Sequence, residues 1–212
     1  MSVGIIDYGV GNLGSVFRAV RELQASPVMI EKHGEMSKCN KLILPGVGNF
    51  SDCARLLATG GWPDALREQV LTHNTQLLGI CVGMQLLADF SMEGSESTNP
   101  EGTPGLGLIS GKVDHLRTFG CDERVPHVGW NSIRQAGRPD PILRDIPSGT
   151  DFYFVHSYAF CPEDEMDVIA TAYYGVSYAA VVHRGNVWGT QFHPEKSSKA
   201  GFQLLKNFVF GP

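Results

Sequence analysis

The chain has 212 residues, enough for one domain of ordinary size with a full core. Hydrophobic residues make up 42% and charged residues 18%, a compact composition rather than a disordered one. The net charge of -5 argues against a nucleic-acid partner, no apolar run reaches the length of a membrane span, and the N-terminus lacks the basic start and cleavage site of a signal peptide.

Residues 3–7 are a short apolar run that reads as a first strand. Gly9-Val10-Gly11-Asn12-Leu13-Gly14 follows it, matches G-x-G-x-x-G, and opens a helix, with Glu31 about 20 residues on. That is the context of a dinucleotide site, so an NAD-binding module is one reading. The plainer one is a tight turn with close helix–sheet packing. Residues 12–23 carry Leu13, Val16, Phe17, Val20 and Leu23 at helical spacing. Residues 28–30 and 41–44 read as strands. The second runs into Pro45-Gly46-Val47-Gly48, where glycine permits conformations that aim N–H groups at an oxyanion; a simple Pro-Gly turn is the alternative.

Residues 64–71 look helical, with Pro63 just before them. Residues 76–80 form a buried strand and residues 84–90 a helix directly after it. This alternation implies βαβ units and a mainly parallel sheet covered on both faces. Between that strand and helix lies Gly79-Ile80-Cys81-Val82-Gly83, the form of a nucleophile elbow. A sharp strand-to-helix turn strains the nucleophile's backbone and needs flanking glycines. The helix N-terminus would favour a thiolate, and the Val82 N–H is placed to meet an oxyanion. The alternative is a core cysteine between packing glycines.

Residues 93–105, rich in Gly, Ser, Pro and Glu, read as a mobile surface loop. Beyond it, residues 113–116, 152–155, 168–173, 178–182 and 187–191 are strand-like with short turns, and suggest antiparallel additions to the sheet. The last of these leads into Gln191-Phe192-His193-Pro194-Glu195. Proline keeps this segment extended, so His193 and Glu195 project to one side as a base and the group that orients it. A surface histidine beside a solvated carboxylate is the alternative. His33, His73, His115, His127, His156 and His183 compete for the base role, His156 most seriously. A final helix spans residues 200–208. The five cysteines, Cys39, Cys53, Cys81, Cys121 and Cys161, are odd in number and widely spaced, so neither disulfides nor a structural zinc site is expected, and a reducing cytosol suits them.

Six segments in this order resemble the class I glutamine amidotransferases, and within them the glutaminase subunits of imidazole glycerol phosphate synthase. They are Ile5-Ile6-Asp7-Tyr8-Gly9-Val10-Gly11-Asn12, Leu44-Pro45-Gly46-Val47-Gly48, Leu78-Gly79-Ile80-Cys81-Val82-Gly83-Met84-Gln85-Leu86-Leu87, Pro126-His127-Val128-Gly129-Trp130-Asn131, Tyr153-Phe154-Val155-His156-Ser157-Tyr158 and Gly189-Thr190-Gln191-Phe192-His193-Pro194-Glu195-Lys196-Ser197. The resemblance implies a three-layer, flavodoxin-like α/β fold with a mainly parallel central sheet, and the triad Cys81, His193 and Glu195. It implies oxyanion donors at Val47, Gly48 and Val82, and glutamine contacts at Gly46, Gln85, Glu93, Ser157 and Tyr158. Asn12, Trp130, Tyr153 and Lys196 would face a cyclase partner with a (β/α)8 barrel, which receives the ammonia. No cofactor or metal is implied.

Three departures from the family pattern are the valine at 82 in place of a common leucine, the single acidic residue in Ser91-Met92-Glu93-Gly94, and Asn49-Phe50-Ser51 after the oxyanion segment. They keep a second acceptor open, the amidino groups of bacterial surface sugars. Other readings are a stand-alone cysteine amidohydrolase, the dinucleotide module, and a silent assembly partner.

Overall fold

The structure, a computed structural model, describes residues 2–94 and 101–211. The chain runs β1 (Ser2–Ile6), α1 (Leu13–Glu22), β2 (Ser26–Ile30), β3 (Lys41–Gly46), α2 (Phe50–Thr59), α3 (Trp62–Arg67), β4 (Gln76–Cys81), α4 (Val82–Gln85), β5 (Phe90–Ser91), β6 (Thr103–Pro104), β7 (Gly111–His115), β8 (His127–Gln135), β9 (Asp151–His156), β10 (Tyr158–Pro162), β11 (Val168–Tyr174), β12 (Val176–Arg184), β13 (Val187–Thr190) and α5 (Ser198–Phe210). One large sheet has the order β2-β1-β3-β4-β13-β12-β11-β8-β9. Its first five strands are parallel and the remainder join antiparallel.

Burial explains this division. Residues 41–46 are buried throughout, as are all but the first residue of β4, so both faces of these strands must be covered. The chain steps one way across the sheet from β1 to β2 and the other way from β3 to β4. Right-handed crossovers then put α1 on one face and α2 with α3 on the other. α5 packs against α1 and closes the first face. α1 buries Val16, Ala19 and Val20, and α2 buries Phe50, Cys53 and Leu57, each set at helical spacing.

Four expectations change. The strand expected at residues 187–191 as an antiparallel addition closes the parallel set as β13, pairing in parallel with β4. The strand expected at residues 113–116 leaves the main sheet: β7 belongs to a second sheet of order β10-β7-β5-β6, in which both pairings of β5 are only two residues long. Residues 64–71 begin inside α3 and continue as a π-helical turn, Glu68–Thr72. The loop expected at residues 93–105 lies partly outside the described residues, and its end pairs as β6. Among the described residues, no helix is long and apolar enough to cross a membrane.

A partly buried ion pair ties the segment after β8 to the β12–β13 hairpin. His183 Nδ1 donates to Asp140 Oδ2 at 2.6 Å and Nε2 to the Gly185 carbonyl at 2.7 Å, while the ring stacks on Trp188. Asp140 Oδ1 also accepts from the Ile142 N–H and from Trp188 Nε1. Both ring nitrogens face acceptors, which suits the imidazolium. Burial pulls the His183 pKa down, but the hydrogen bonds to Asp140 and Gly185 outweigh it and hold it above its ordinary 6.5.

A folded pKa above the unfolded one gives stability that is complete below 6.5 and lost as pH rises through the raised value. His183→Gln is therefore expected to cost about 2 kcal/mol in mild acid. The gap to the unsubstituted chain should narrow toward alkaline pH in thermal unfolding; a gap that widens with pH would contradict this origin.

Candidate active site

β4 ends at Cys81 and α4 starts at Val82, so the strand-to-helix turn falls on the sulfur. Cys81 sits at φ 55° and ψ -114°, a conformation rarely adopted by a residue with a Cβ. Three close backbone approaches hold it there. A Cβ on Gly83 would lie 1.8 Å from the Leu44 carbonyl oxygen, and one on Gly79 would lie 2.5 Å from that of Gly83. One on Gly46 would lie 2.6 Å from the Gly83 nitrogen. Gly46 thus packs closely against the elbow.

The helix expected over residues 84–90 is a single turn. Leu106 N donates to Leu86 O at 2.7 Å, Leu108 N to Leu87 O at 2.9 Å, Gly107 N to Ala88 O at 2.9 Å and Gly105 N to Asp89 O at 2.8 Å. These carbonyls are claimed by another segment, so the helix stops. Four residues carry little macrodipole, and the support for a thiolate expected from it has to come from side chains. Val82 keeps its place as the first helical residue, whose N–H lacks an intrahelical partner.

The base arrives on the neighbouring strand. β13 pairs with β4 in parallel, Thr190 opposite Ile80, so the chain leaving β13 passes beside Cys81. His193 Nδ1 donates to Glu195 Oε1 at 2.9 Å, both side chains being almost fully buried. The Cys81 side chain is close enough to act on the charge of the ring. Burial lowers the His193 pKa, but these contacts with Cys81 and Glu195 overcome it and push the value up to about 9.

The segment is not extended, as expected from Pro194, but forms a 3-10 turn over Pro194–Lys196. Ser197 Oγ fastens the turn by donating to the His193 carbonyl at 2.6 Å and accepting from the Tyr153 N–H at 3.0 Å. Asn12 Nδ2 donates to the same Glu195 oxygen at 3.2 Å, so this residue, expected at a partner face, steadies the carboxylate. The Gly9–Gly14 loop that carries it has positive φ at Gly9 and Gly11, whereas Gly14 faces open space and has no packing task.

A cavity of about 380 Å³ opens above the sulfur, within the usual range for small-molecule sites. Among its walls are Val47, Gly48, Val82, Gln85, Glu93, Ser157, Tyr158 and Lys196, with Cys81 and His193. Glu93 accepts from the Phe50 N–H at the start of α2 at 2.7 Å, and burial raises its pKa against that pull. Cys53 donates to the Val47 carbonyl at 3.4 Å, turning that oxygen to the core. Planarity of the peptide then points the Gly48 N–H the opposite way.

His156 also lines the cavity, but both its nitrogens are spent. Nδ1 donates to Tyr158 O at 2.9 Å, and Nε2 lies 3.4 Å from His127 Nδ1. Burial drives its pKa down to about 3, so the ring stays neutral and has no carboxylate behind it. Trp130 and Tyr153 lie outside the cavity, opposite each other across β8 and β9 with ring centroids 6.1 Å apart, and Trp130 is exposed. Among the described residues no three His, Cys, Asp or Glu side chains gather as a metal site requires.

A model of the family described as glutamine amidotransferase class-I matches residues 4–211. The chain is 48% identical over 208 residues to the "Imidazole glycerol phosphate synthase subunit HisH 1" of Prochlorococcus marinus, covering 97% of this chain and 95% of that protein. It is 45% identical to the subunit HisH of Moorella thermoacetica, covering 97% and 93%. Among solved structures, a glutamine amidotransferase superposes with a TM-score of 0.73 at 22% identity, covering 98% of this chain and 96% of that one. PurLQS from Thermotoga maritima superposes at 0.72 with 16% identity, covering 98% and 97%.

The elbow packing has a direct test. Gly83→Ala forces a methyl group into the Leu44 carbonyl and is expected to destabilise by at least about 3 kcal/mol in denaturant unfolding. Gly14→Ala, in open space on α1, is expected to be neutral or stabilising by up to about 1 kcal/mol. Equal effects at the two positions would refute the close-approach reading.

Proposed function

The chain belongs to the class I glutamine amidotransferases and, within them, to the HisH subunits of imidazole glycerol phosphate synthase, and from that premise we propose that residues 1–212 act as one glutaminase domain. It hydrolyses L-glutamine to glutamate and ammonia. The observation that carries the reading is the strained Cys81, beside a buried His193 held by Glu195, at the floor of a small cavity.

The sulfur gives up its proton to His193 and attacks the side-chain amide carbon of glutamine. The oxyanion meets N–H groups of Val82 and of the Val47–Gly48 segment. His193 returns the proton to the departing nitrogen, which leaves as ammonia. Water, deprotonated by His193, then cleaves the thioester to glutamate and restores the thiol. Glu195 holds the ring's orientation and balances its charge, and Asn12 holds Glu195. Glu93 suits the substrate's ammonium group, and Ser157 with Tyr158 forms the opposite wall.

The ammonia passes to a cyclase with a (β/α)8 barrel, which makes imidazole glycerol phosphate and AICAR in histidine biosynthesis. Exposed Val128, Trp130 and Tyr173 supply an apolar surface suited to that partner, with Tyr153 and Lys196 at its side. Five free cysteines suit a cytoplasmic protein.

With the cyclase present, Cys81→Ala is expected to lose glutaminase activity by about three orders of magnitude or more. Glu195→Gln is expected to lower kcat about 10²-fold, and the His193 ring to titrate below its present value of about 9 in an NMR titration, because the carboxylate helps to raise it. Substantial turnover by Cys81→Ala would refute the assignment.

A further inference from the structure

We propose that Gln191 is a further catalytic residue: its side-chain amide donates to the Cys81 sulfur and supports the negative charge there, and Gln85 positions that amide. The proposal rests on Cys81 being the nucleophile. Gln191 directly follows β13 and is fully buried. Its backbone is held by Ala180 O at 2.9 Å, and its Nε2 lies 4.0 Å from the Cys81 sulfur.

The direction of the amide follows from one fixed acceptor. Tyr158 O can only accept, so the Gln85 atom 2.9 Å from it is the amide nitrogen. That nitrogen also donates to Gln191 at 3.1 Å, so the Gln191 atom it meets is the oxygen. The Gln191 NH2 is left facing the sulfur, and turning it over would set two donors against each other. Gln85 is thus committed to this chain of contacts through its donor end, and only its carbonyl end remains for the cavity it lines.

The surroundings of the sulfur give the contact its task. Val155 O lies 3.9 Å away, an acceptor that suits a thiol and repels a thiolate. α4 is too short to supply a useful dipole. Once the sulfur proton has moved to His193, the Gln191 amide answers the charge left behind. It donates a hydrogen bond and transfers no proton. The contact of 4.0 Å has room to shorten, since catalytic hydrogen bonds often tighten only when charge develops.

The test is alkylation of the full chain by iodoacetamide across pH, read at the Cys81 peptide by mass spectrometry so that exposed Cys161 serves as an internal reference. In Gln191→Met the Cys81 profile is expected to move up by about one pH unit, slowing alkylation at neutral pH about tenfold. The Cys161 profile should not move. With the cyclase present, kcat should fall about tenfold while KM for glutamine changes less than about twofold. Gln85→Met, which frees the amide to turn, is expected to give a smaller shift in the same direction. A Cys81 profile in Gln191→Met that superposes on that of the unsubstituted chain overturns the proposal. Should that variant fail to fold, an unmoved profile in Gln85→Met does so instead. Failure of the nucleophile assignment would appear separately, as glutaminase turnover by Cys81→Ala.

Discussion

Parallel pairing of β4 with β13 sets Ile80 beside Thr190, and the geometry of the site follows from that register. Side chains alternate along a strand, so a slip of one residue would send the groups beyond β13 to the wrong face. With the register in place, the chain ends at Cys81 and Thr190 emerge side by side at the same end of the sheet. Parallel strands make this possible, because ends that point the same way open onto a common crevice. β3 adds the third wall: its register with β4 sets Gly46 opposite Cys81 and so brings Val47 and Gly48 to the rim.

Two histidines near the cavity show how surroundings divide labour between identical side chains. His193 has a carboxylate against one nitrogen and a thiol within reach, and these hold its charged form up despite burial. His156 has a carbonyl and a second buried histidine as partners, neither of which balances a positive charge, and it remains neutral. The one ring can hold a proton taken from the sulfur. The other serves by fixing the carbonyl of Tyr158, which is also the acceptor that orients Gln85.

Much of this is legible in the sequence wherever a local rule agrees with the final packing. The parallel strands show as short apolar runs, and Gly79, Cys81 and Gly83 mark the elbow. The pair His193 and Glu195 is legible too, although a turn brings it together and not the extended chain that Pro194 suggests. Helix α2 goes unread even though Asn49 caps it and Phe50, Cys53 and Leu57 have helical spacing. Its start reads only as a variation after the oxyanion segment. The truncation of α4 has no local signal, because it is imposed by amides about 20 residues downstream. β5 and β6 of the second sheet escape because two-residue strands show no period. Gln191 and the support that Asn12 gives the triad escape because an uncharged amide gains significance only from what lies opposite it in space. The glycine fingerprint in the first loop is ambiguous for the same reason, until Asn12 is seen against Glu195.

The sheet order has a consequence for biosynthesis. β13, made after every other strand of the sheet, is not at an edge but wedged between β4 and β12. A nascent chain lacking it has an open edge on β4 and a cysteine without base or amide support. Closing the sheet therefore joins elements on the order of 100 residues apart late in folding, a slow kind of step for a chain rich in distant pairings. The reactive thiol is armed only once β13 has been made and paired, and folding and chemical competence are completed in one event.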